Sequence, residues 1–73
     1  MRYYGIDLMT KDKPVVTAAL RTICINVVSA HRYTENNHYS CLFVRTDGTE
    51  EELERFLYHN NLPYLGVFTL SGQ

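Results

Sequence analysis

Three observations in this 73-residue chain predict an α+β domain, a four-stranded antiparallel sheet with two helices on one face. Residues 2–9 alternate with a period of two, the mark of a half-buried strand. Residues 25–46 hold two further strand-like runs around a polar turn. Thr49-Glu50-Glu51-Glu52 is a capping box, threonine at the N-cap and glutamate three residues on, and it opens an apolar stripe at helical spacing.

The elements follow in order. In the first strand Tyr4, Ile6 and Leu8 lie on one side, Tyr3, Gly5 and Asp7 on the other. Residues 10–14 break the alternation, and Asp12 ahead of Pro14 suits a helix start, where a missing N–H costs nothing. Over residues 14–23, Val16, Ala19, Leu20 and Ile23 fall at helical spacing and leave Ala18, Arg21 and Thr22 outward. The β-branched Val15, Val16, Thr17, Thr22 and Ile23 oppose a helix, because their side chains are stiff at χ1. The spacing decides for helix. Residues 25–33 read as the second strand, 34–38 as an Asn-rich turn and 39–46 as the third strand. In the second helix Leu53, Phe56, Leu57 and Asn60 form the inner stripe, and Glu51 pairs with Arg55 at i,i+4. Three glutamates in its first turn complement the helix dipole. Asn60, Asn61 and Pro63 stop it, and residues 64–70 form the last strand.

Strand, helix, strand, strand, helix, strand gives two interleaved right-handed crossovers, the ferredoxin-like plait. Residues 1–73 are read as a single domain, near the lower limit at which one core sustains a fold. Net stability of a few kcal/mol is expected at that size, and pairing into a homodimer would add to it. Alternation assigns Tyr4, Ile6, Leu8, Val28, Leu42, Val44, Leu65 and Val67 to the helix side. The open face then carries Tyr3, Asp7, Ser29, His31, Tyr33, Tyr39, Cys41, Phe43, Arg45, Tyr64 and Phe68. A one-residue slip would invert any strand.

Composition excludes several classes. The formal charge of −1 lacks the basic excess with which proteins neutralise phosphates, so nucleic acid is not the expected partner. No apolar run approaches the ~20 residues needed to span a bilayer, so no membrane role is expected. The N-terminus opens directly into the first strand and leaves no room for a signal peptide. Cys24 and Cys41 form neither a disulfide framework nor a zinc pattern and read as thiols in a reducing cytoplasm.

Two families share this wiring. Asp12-Lys13-Pro14, a helix, and then Ile25-Asn26-Val27-Val28-Ser29-Ala30 resemble the ACT regulatory domain. The resemblance implies a small-molecule-binding regulatory module with Asp12, Pro14, Val15 and Asn26 at a ligand or interface loop. Val15 stands where that family carries a glycine. Tyr3 with Phe43 or Tyr39 resembles the base-stacking pair of the RNA-recognition motif, although the third strand lacks that family's Lys/Arg-Gly-Phe/Tyr pattern. Residues 10–13 lack the glycines and arginine of an acylphosphatase-type phosphate loop.

Side-chain chemistry is sparse. His31 and Cys41 would face each other across the hairpin if Tyr33 pairs with Tyr39, a couple suited to nucleophilic or metal chemistry. No third member accompanies them, and His38 and His59 belong to other elements, so no catalytic residue, metal or cofactor is expected. Asp7 and Arg45 suit a register-fixing ion pair, and residues 50–54 an acidic rim beyond their capping role. The expected function is therefore that of a non-enzymatic module that binds and modulates another protein, an inhibitor or regulator of the kind phages encode. Its expected interaction surface is Tyr3, Tyr33, Tyr39, Phe43, Tyr64 and Phe68.

Overall fold

The computed structural model of the chain describes residues 2–31 and 38–70. They form strands β1 (Arg2–Met9), β2 (Asn26–His31), β3 (Tyr39–Thr46) and β4 (Gly66–Thr69), and helices α1 (Lys13–Leu20) and α2 (Glu50–His59). The sheet order is β2-β3-β1-β4, and each neighbouring pair is antiparallel. This is the ferredoxin-like plait. The turn expected at 34–38 and the end of the second strand fall largely outside the described residues.

Both helices bury their stripes against one sheet face. Val16 and Leu20 of α1 and Leu53 and Leu57 of α2 close over Tyr4, Ile6, Leu8, Val27, Leu42 and Val44. Each such aliphatic side chain contributes about 1.5–3 kcal/mol relative to exposure. Two pairs of polar groups taken inside bond one another. The Tyr4 hydroxyl donates to the Gly48 carbonyl at 2.9 Å, and Ser40 and Thr10 share a hydroxyl–hydroxyl bond of 2.8 Å.

The spacing argument for α1 holds against β-branching, but the helix is shorter than residues 14–23. The chain enters it through a 3₁₀ turn at Thr10–Asp12, so Asp12 already has helical backbone and caps nothing with its side chain. At the far end the Thr22 hydroxyl donates to the Ala19 carbonyl at 2.6 Å, a local bond that competes with helix continuation. Ile23, expected in the inner stripe, lies exposed in the turn that follows.

Helix α2 forms as its sequence dictates. The Thr49 hydroxyl accepts from Glu52 N–H at 3.1 Å, and Glu52 Oε1 accepts from Thr49 N–H at 3.2 Å. At the C-terminus Asn61 adopts a left-handed φ of 53°. Leu62 N–H reaches the Leu57 carbonyl and Asn61 N–H the Tyr58 carbonyl, which is a Schellman closure. Asn60 is exposed and does not join the inner stripe. The hydrogen bonds from Thr49 hold the Glu52 carboxyl below its usual range. A carboxyl depressed on folding stabilises above its unfolded pKa and loses that contribution as pH falls through the folded value. We therefore expect Thr49→Ala to cost about 1 kcal/mol at neutral pH. We further expect Glu52→Gln to differ most from the parent at neutral pH, the gap narrowing below about pH 4 in urea titrations.

One strand departs from the expected register. Ile25 N–H donates to the carbonyl of Arg45, the residue that Asn26 already opposes, so two residues face one as in a β-bulge. From Asn26 onward each pair lies one residue off the register that a Tyr33–Tyr39 pairing would set, so Val27 pairs with Val44 on the helix side and Val28 with Phe43 on the open side. Val28 and Ser29 exchange the faces expected of them. The start of the last strand also differs. Tyr64 packs against the core beside α2, its hydroxyl donating to Glu54 at 3.4 Å, and Leu65 is exposed. Burial, with Glu54 beside it, pushes the Tyr64 phenol above its ordinary value. Regular pairing begins only at Gly66, so alternation counted from Tyr64 does not apply.

Candidate interaction surface

The register lays the open face out in rows across the sheet. Asn26, Arg45 and Tyr3 form the first, and Val28, Phe43, Gly5 and Phe68 the second. Ala30, Cys41, Asp7 and Gly66 form the third, with Tyr39 beside Met9 at the far end. The second row is the apolar centre. Phe43 is 39% exposed and Val28 51%, flanked by Tyr3 at 40% and Tyr39 at 45%. Four side chains at that exposure present roughly 300–400 Å² of largely apolar surface, since such rings carry about 150–250 Å² each.

Gly5 permits the centre of this face. The Phe68 ring of edge strand β4 folds across it, and a β-carbon there would stand inside the ring's van der Waals envelope. Phe68 is thereby partly buried, whereas Phe43 on the inner strand β3 stays open. The face is both fixed and uncovered.

Of the residues expected on this surface, Tyr3, Tyr39, Phe43 and Phe68 lie there. Tyr33 lies outside the described residues. Tyr64 is on the helix side, for the reason given above. Val28 was missed, because its face depends on the register of β2 against β3, which alternation within one segment does not fix.

The other expected groupings separate. Asp12, Pro14 and Val15 follow Met9 at one end of the sheet, whereas Asn26 opposes Arg45 and Tyr3 at the other, six residues away along β1. Along the strand that is about 20 Å. Cys41 pairs with Ala30 and His31 with Ser40, so the register does not set His31 opposite Cys41. Cys41 is buried, and Cys24 is half-buried with its thiol pushed up by that burial. Asp7 opposes Cys41 while Arg45 opposes Tyr3, four residues further along, and no ion pair joins them. The glutamates are used locally. Glu50 accepts from Thr69 at 3.0 Å, Glu51 pairs with Arg55 at 3.2 Å, Glu52 caps α2, and Glu54 meets Tyr64. Among the described residues no three histidine, cysteine or carboxylate side chains gather as metal ligands, and no helix is long and apolar enough to cross a membrane.

Comparison with protein-family models, with curated proteins and with solved structures gives no match to this chain. The class that fold and surface define is an α+β plait with an uncovered, aromatic sheet face.

Proposed function

We propose that this chain is a non-enzymatic interaction module that binds another protein through the open face of its sheet and thereby modulates it. The observation that carries this is the contiguous row of Val28 and Phe43 beside the Phe68–Gly5 contact, flanked by Tyr3 and Tyr39. Exposed apolar patches of a few hundred Å² on small domains commonly mark contact sites, and tyrosine and phenylalanine suit interface centres. About 800 Å² per partner is standard for a stable complex, so this patch supplies the centre and surrounding polar residues the rim. The partner contributes apolar side chains rather than phosphates, because Arg45 and Asp7 leave the face without net charge.

The test is photo-crosslinking from position 43, with benzoylphenylalanine in place of Phe43, in cells that produce the chain. A defined adduct with another protein is expected. The same group in place of Tyr58, exposed on α2, should not form it. Serine at Tyr3, Val28 and Phe43 together should remove competition for the adduct while the circular dichroism stays that of the parent. An adduct only with a second copy would replace the heterologous partner by a homodimer, and equal labelling from both positions would sink the proposal.

A further inference from the structure

A second surface, adjoining the aromatic centre at Val28, lies along the outer edge of β2. This strand ends the sheet, and its sequence from Ile25 to His31 contains no charge, proline or glycine. Natural edge strands are ordinarily blunted by such residues, since an open ladder of N–H and C=O groups invites a further strand. Beside this edge, on the helix side, runs a groove of about 480 Å³ between α1 and Ser29. Its α1 wall is formed by Pro14, Thr17 and Ala18, with Lys13 at one end and Arg21 at the other. Lys13, Thr17 and Arg21 succeed one another at i, i+4 and i+8, on one side of the helix. Neither cation is joined to a carboxylate among the described residues.

The spacing selects the ligand. Eight residues of helix separate the backbone positions of the two cations by about 12 Å, so one phosphate or carboxylate would engage both only if the two long side chains converged on it. Carboxylates four residues apart on one side of an extended strand stand about 13 Å apart, which matches. A strand added to the β2 edge would direct alternate side chains upward towards α1 and the others downward beside exposed Val28. From this we infer that the β2 edge and its groove accept an extended acidic peptide by strand addition. Glutamate or aspartate at i and i+4 meets Lys13 and Arg21, and β-branched residues between them pack beside Val28. A second copy fits less well. Antiparallel pairing of two β2 strands about a two-fold axis would bring Lys13 of one chain towards Arg21 of the other, like charge against like.

The experiment uses the whole chain and two blocked, fluorescein-labelled seven-residue peptides, one alternating glutamate with valine, the other lysine with valine. Anisotropy should show binding of the acidic peptide that weakens as salt is raised, and amide hydrogen exchange should show protection over residues 27–31. The double variant Lys13→Glu, Arg21→Glu should lose about tenfold or more in affinity for the acidic peptide and gain affinity for the lysine peptide. Serine at Tyr3, two strands away from this edge, should leave this binding unchanged, which separates it from the open-face proposal. Equal affinity for both peptides would overturn the inference, as would binding without protection of β2. Protection of β2 without peptide, together with a dimer in sedimentation, would assign the edge to a second copy instead.

Discussion

Ile6→Ala is expected to cost about 2–5 kcal/mol, the range for truncating a fully buried aliphatic side chain. Ile6 is completely buried at the middle of β1, with Leu42 on one side and Val67 on the other. The core into which it points is built from both helices, so no single element can move in to fill the space. Domains are stable by about 0.05–0.15 kcal/mol per residue, which gives this chain roughly 4–11 kcal/mol in total. The loss is thus a large fraction of the whole. In urea denaturation followed by circular dichroism, the midpoint should fall steeply or the folded baseline vanish. Val28→Ser, on the same sheet but half exposed, should leave the midpoint almost unchanged. A small shift for Ile6→Ala would mean that the sheet and helices do not share one core.

Gly5→Ala is the second large effect, and it acts on the opposite face. The added methyl takes the space of the Phe68 ring, so the ring must leave the sheet. Overpacking of this kind costs about 1–3 kcal/mol, less whatever alanine gains over glycine in strand propensity. The distinguishing measurement is a double-mutant cycle. Phe68→Ala should destabilise the parent but cost little in the Gly5→Ala background, because the ring contact is already lost there. The interaction surface should change with it, since an expelled Phe68 removes one flank of the apolar row. Additive effects would show that ring and glycine are not coupled.

Local chemistry made much of the fold legible. The bounds of β1 and β3 coincide with residues 2–9 and 39–46, because alternation and flanking breakers are properties of the segments themselves. The cap and stop of α2 were readable for the same reason. Thr49, Glu52 and Asn61 act on backbone within a few residues of themselves. Helix α1 shows two local rules in conflict. Apolar spacing overrode β-branching because Val16 and Leu20 gain burial, yet Ile23 gained none and fell outside the helix.

What sequence alone determined about this protein is its set of elements, their βαββαβ order, and an aromatic content too high for one small core. Tertiary structure decided which side chains stand on the open face. That depends on pairing between distant segments. A one-residue offset in the pairing of β2 with β3 turned Val28 outward, a Gly5–Phe68 contact across two strands fixed one aromatic and left Phe43 free, and packing against α2 withdrew Tyr64. The side-chain period of a strand is two, so an offset of one residue leaves every strand in place and exchanges its faces.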